Sequence, residues 1–198
     1  RSSGGGTSDI VSAAQFGLGV FVASGGAGAA VLLLKARRAR RRTHRAMAVF
    51  SESGRNWDYR EVQKQVEESY FQIQECWRRM DVTYGVPYMS ERLQKDFNVK
   101  LQWMHMRGEE VVQKKVKLLS AIPVGVQDEE GEDQDVIWYL IHGKMTGFYI
   151  NKNTREIIRG KNRPEAFFEY WKFVYRNERW VLDEIKQKEE IDIDAFHV

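Results

Sequence analysis

Four histidines, at 44, 105, 142 and 197, are the side chains best placed to move protons near neutral pH. No two of them stand at metal-ligand spacing, and Cys76 is the only cysteine, so neither a zinc signature nor an internal disulfide is present. His142 lies in an apolar run and His105 near the apolar end of a helical pattern, so either can face a cavity beside Asp183 or Tyr139. That grouping would support acid and base chemistry or the polar end of an apolar-ligand site. A hydrogen-bonded structural histidine is the commoner arrangement. No glycine-rich phosphate loop, nucleophile elbow or paired-carboxylate motif accompanies them. The expectation is a protein without catalytic residues, cofactor or metal.

The elements that would position these groups start with residues 10–34, which are 25 consecutive uncharged residues followed by a basic collar. As a helix this stretch would measure ~37 Å, enough to cross a ~30 Å hydrocarbon core, and it is expected to be a single transmembrane helix. Five of its residues are glycine and six alanine, and small residues recur every four positions at Gly19, Ala23 and Ala27 and at Ser24 and Gly28. Such spacing lets a partner helix approach closely.

The collar holds Lys35, Arg37, Arg38, Arg40, Arg41, Arg42 and Arg45. It places the downstream side in the compartment that retains positive charge and makes anionic lipid an expected partner. Without Arg1, Asp9 and these seven residues, 23 basic face 27 acidic residues, so the remainder is mildly acidic. No aromatic residue interleaves with the arginines, and nucleic acid is not expected as a partner. Residues 1–9 are a Gly/Ser-rich lead, and the start at Arg1 without methionine points to a processed precursor.

Beyond a hinge at 51–55, Val62, Val66, Tyr70, Ile73, Trp77 and Met80 form one apolar helical face. Ser90 is a plausible N-cap for a second helix that turns Leu93, Phe97, Leu101 and Met104 inward, with a far end covered around Trp103 and Met106. Strand patterns follow at 111–118, 136–142, 148–151, 156–159, 167–176 and 180–188. Turns are expected at 151–154 and at Asn177 and Glu178, the acidic loop 128–135 is expected to be solvated, and the tail from Glu189 loosely held. Core packing accounts for most of the six tryptophans, with Trp57 the expected exposed exception. The fold class is α+β, with two to three helices packed on a curved antiparallel sheet of about five strands.

The run PEAFFEYWKFVYRNERWVLDEIKQKEE, the strand VIWYLIHGKMTGFYIN and the stretch YMSERLQKDF resemble the Tim44-like domain family, small bacterial membrane-anchored members above all. The resemblance covers about residues 57–190, between the collar and hinge at 35–56 and an acidic tail at 191–198. It implies a nuclear-transport-factor-two-like cone around an apolar cavity. Together with the expected anchor and the collar, it implies a non-catalytic, membrane-anchored scaffold or accessory subunit of an organellar inner-membrane complex such as a protein translocase or a respiratory or photosynthetic assembly. The domain would then sit in the matrix or stroma, the mitochondrion being preferred to the chloroplast. The alternatives are a cone-fold carrier or enzyme using His105, His142 and Asp183, and a ribosome-associated protein near the membrane.

Overall fold

The computed structural model describes residues 27–198. Three α-helices precede four strands among them: α1 (Ala27–Phe50), α2 (Tyr59–Arg79), α3 (Glu91–Met106), β1 (Glu109–Gln127), β2 (Val136–Asn151), β3 (Ile157–Arg176) and β4 (Arg179–Gln187). The strands form one antiparallel meander in the order β1, β2, β3, β4.

The helix boundaries follow from side-chain chemistry. The Asp58 carboxylate accepts from the Glu61 amide at 2.9 Å and starts α2, while Met80 ends it in the left-handed conformation at φ 53°. Ser90 starts α3 as expected, accepting from the Leu93 amide at 3.3 Å. The buried residues of both helices repeat every three or four positions, so each turns one face to the sheet.

Four strands, not five, make the sheet, because segments that read as separate strands are continuous. The runs at 136–142 and 148–151 are one strand, and so are those at 156–159 and 167–176. The glycines between them are bends inside strands. At Gly143 a Cβ would collide with the Phe167 ring and with the Tyr70 hydroxyl, so only glycine admits that contact. Register shifts at 145/147 and 149/150 absorb the bending that a turn would otherwise provide. The tight turns are where they were expected: Asn177 and Glu178 both have positive φ, and the Asn151 side chain accepts from the amides of Asn153 and Thr154.

The two faces of the sheet bury different partners. On the inner face, Ile137, Tyr139, Ile141, Tyr149, Trp171 and Phe173 meet α2 and α3. On the outer face, Ile122, Val124, Leu140, Phe168 and Tyr170 meet Ala36 and Ala39 of α1 together with Ile193 and Phe196. The tail is therefore docked rather than loose.

The predicted transmembrane helix is corrected by α1. Residues 27–34 are its first two turns, and the helix continues without a break through the whole basic collar. Ala29, Leu32 and Leu33 pack on the outer face of the sheet, so their apolar surface is used by the protein itself. With seven Lys and Arg residues, α1 does not have a membrane span's composition, and no helix among the described residues is long and apolar enough to cross a membrane. Residues 10–26 lie outside the described residues.

The acidic loop between β1 and β2 is tied down by Asn56 and Trp57 and by Arg176 and the Tyr175 amide of β3, which donate to the carbonyls of Asp133 and Asp135. Asn56 donates to Asp135 at 2.6 Å, and the Trp57 indole donates to Asp128 at 3.0 Å. Burial pushes the Asp135 carboxyl up, only partly offset by the Asn56 and Glu129 donors. Trp57, expected to be exposed, is 1 % accessible and packs on Trp180 at 5.0 Å. Trp103 is the exposed tryptophan instead.

Candidate functional site

The structure does not bring the three expected cavity groups together. The His105 ring faces the Met80 carbonyl at 3.2 Å, at the exposed end of α3. His142 is on the outer face of β2, half-buried and stacked on Phe168 at 4.1 Å, and burial lowers its pKa. It borders a groove between α1 and α2 that also contains Arg37, Arg40, Tyr59 and Glu67. His105 borders a different groove, beside Arg78, Arg79 and Arg155.

Asp183 is on β4 and fastens the start of α3. It accepts from Ser90 Oγ at 2.7 Å and from Arg92 at 2.9 Å, with Lys172 at 3.6 Å. Burial pushes its carboxyl up, but the Arg92 and Ser90 hydrogen bonds and the Arg92 and Lys172 charges outweigh this and hold it below its ordinary value. Its contribution to stability is present above that ordinary value and is lost as pH falls through the lowered one. Asp183→Ala removes the tie and is expected to destabilise the fold by about 2 kcal/mol in urea melts at pH 7. A change below about 0.5 kcal/mol would show the tie to be idle.

The strongest feature on the surface is α1. At ~100° per residue, Ala36, Ala39, Thr43 and Met47 fall on one side and are buried, while Arg38, Arg41, Arg42 and Arg45 fall on the opposite side and are exposed. Val31, Leu34 and Val49 share that outward side at 53, 57 and 63 % exposure. No arginine of α1 pairs with a carboxylate among the described residues, whereas Arg78, Arg79, Arg92, Arg107, Arg155, Arg159, Arg163 and Arg179 all do. Lys35 is the exception within the collar, donating to Asp194 at 2.6 Å. The outward side of α1 is thus a stripe of uncompensated guanidinium charge flanked by aliphatic side chains.

Of the proposed helix-packing positions, Gly19, Ala23 and Ser24 lie outside the described residues. Ala27 and Gly28 open α1, with Gly28 exposed and no atom within 4 Å of where its Cβ would stand.

The Tim44-like domain model matches residues 43–187, most of the chain. The chain belongs to the Tim44-like domain family. This Tim44-like domain begins within α1 and ends with β4, so the last third of the helix, with Arg45, is part of it, while Arg38, Arg41 and Arg42 precede it. No curated protein sequence matches the chain. Among solved structures, the intermembrane space region of the chloroplast protein ARC6 is similar at 8 % identity and a TM-score of 0.47, over 63 % of this chain and 95 % of that one.

Sequence reasoning missed two features of this Tim44-like domain. Glu169 is a fully buried carboxyl on the inner face, accepting from the Trp171 indole at 2.9 Å and from Gln187 at 3.4 Å. A single acid inside an aromatic strand is a visible signal, because alternation places it on the same side as Phe167 and Trp171. The other is the outward apolar stripe of Val99, Trp103 and Met106 on α3, at 52, 55 and 76 % exposure. Its spacing of four and three residues is present in the sequence, where Trp103 and Met106 are expected to be covered and Val99 gives no signal by itself.

Proposed function

We propose that the chain is a non-catalytic, membrane-associated scaffold or accessory subunit of an organellar inner-membrane complex, resting the outward side of α1 on an anionic membrane surface. The observation that carries this reading is the set of four exposed, unpaired arginines opposite the buried side of α1. An interfacial helix of this kind lies in the headgroup plane, its aliphatic residues entering the boundary and its arginines meeting phosphate. Family membership and the scattering of His105, His142 and Asp183 over three separate places support a role without catalysis. The matrix or stromal side, the mitochondrion before the chloroplast, is part of the proposal.

The test is flotation of the purified chain with vesicles. Binding is expected to vesicles containing about one third anionic lipid, to be much weaker on zwitterionic vesicles, and to fall several-fold between about 0.05 and 0.5 M salt as screening shortens. Equal binding to both vesicle types would contradict it.

A further inference from the structure

The outer face of the sheet contains a receptor whose present occupant is the chain's own tail. Phe196 sits between the rings of Trp138 and Tyr170, at 5.2 and 5.0 Å with tilts of 49° and 52°. Gly125 is the floor: a Cβ there would stand 3.0 Å from the Phe196 Cβ and 3.2 Å from the His197 carbonyl oxygen. The Val126 amide donates to that carbonyl at 3.2 Å, and Lys35 holds Asp194 at 2.6 Å. The receptor groups come from α1, β1, β2 and β3, so the tail meets the domain as a ligand would.

The tail itself has the form of a compact recognition element. Asp192 caps a single turn by accepting from the Asp194 amide at 2.9 Å, and the turn directs Ile193 and Phe196 into the face while both acids remain exposed. Its hold is light. The Lys35–Asp194 pair is 40 and 64 % exposed, which leaves it weak and screened, and two buried side chains supply most of the rest. A groove of about 360 Å³ beside it, between Leu32 and Lys35 of α1 and Ile191, gives room for residues flanking a docked segment.

We propose that this face binds a partner's acidic segment, an acid-capped turn with an aliphatic and an aromatic residue three positions apart, and that the tail occupies the site until such a partner displaces it. Charge complementarity favours this occupant: Lys35 and Lys188 border the groove, and the acids they meet, Asp194 and Glu189, both belong to the tail, as does Asp192 on the groove's other side. A tethered competitor acts at a local concentration on the order of millimolar, so a free partner's apparent dissociation constant is its intrinsic one divided by the fraction of open sites. The surface meets the outward side of α1 at Val31 but includes none of its arginines, and its test does not depend on membrane binding.

The probe is a fluorescent peptide of residues 189–198, titrated into the full chain. Ile193→Ala with Phe196→Ala in the protein empties the site and is expected to tighten peptide binding at least tenfold over the unaltered chain. Adding Lys35→Glu is expected to take back part of that gain, about threefold, and a peptide lacking the phenylalanine is expected not to bind. Circular dichroism checks folding of the double variant. If it unfolds, Asp194→Ala, at an exposed side chain, is expected to give a smaller gain of about threefold. Peptide binding that is the same in the unaltered chain and in the folded emptied variant, or in Asp194→Ala where that variant is used, would overturn the proposal. So would indifference to Lys35→Glu.

Discussion

Replacing Glu169 with glutamine is expected to stabilise the fold at pH 8 by up to roughly 3 kcal/mol and to flatten its pH dependence between 5 and 7. Glu169 has no exposed surface to speak of, and burial raises its pKa from the ordinary 4.5 to about 7, while the Trp171 and Gln187 hydrogen bonds pull the other way. The folded chain therefore holds a proton that the unfolded chain has released between those two values. Stability is greatest below the unfolded value, falls by ~1.4 kcal/mol per pH unit as pH rises toward 7, and levels off above it. Glutamine cannot ionise, and its amide oxygen can still accept from Trp171. Urea melts of both proteins from pH 4.5 to 8.5 make the comparison. Parallel curves would show that this carboxyl is not what makes stability depend on pH in that window.

Reversing Arg38, Arg41, Arg42 and Arg45 to glutamate is expected to weaken binding to anionic vesicles by roughly a thousandfold, at ~1 kcal/mol for each basic residue near the surface. All four side chains are exposed and lack carboxylate partners among the described residues, so thermal stability is expected to move by only a few degrees. The control reverses Arg78, Arg155 and Arg163, each of which already has an acidic partner and lies elsewhere. Its vesicle binding is expected to change by less than tenfold. Equal losses in the two variants would mean that net charge, not α1, drives association.

The inner layer was legible because its signals are periodic. Val62, Val66, Tyr70, Ile73 and Trp77 mark one side of a helix, Ser90 is a cap by type and position, and Asn177-Glu178 is a hairpin turn between two aromatic strands. The strand count was not legible, because Gly143 and Gly147 look like breaks in a one-dimensional pattern. Gly143 is required by Tyr70 and Phe167, distant in sequence, and Gly147 stands at a register shift inside the strand.

The first helix was misread for a related reason. Apolar residues 27–34 and the arginines after them look like two segments in a linear pattern, although Ala36, Ala39, Thr43 and Met47 continue one buried side through the collar. Alanine and threonine are too small to stand out among arginines, so a linear scan sees only charge. The tail was set aside as acidic, yet Ile193 and Phe196 lie three positions apart, the spacing of a single turn. The dispersion of His105, His142 and Asp183 was not readable at all, since each lies on a different element and only tertiary placement separates them.

That this Tim44-like protein works as part of a membrane assembly is tested by solubilising native membranes in mild detergent and separating the protein by native electrophoresis. The expected result is migration well above the size of one copy of the protein, in a band that high salt depletes from the membrane fraction. Recovery as a free monomer, unaffected by salt, would contradict it.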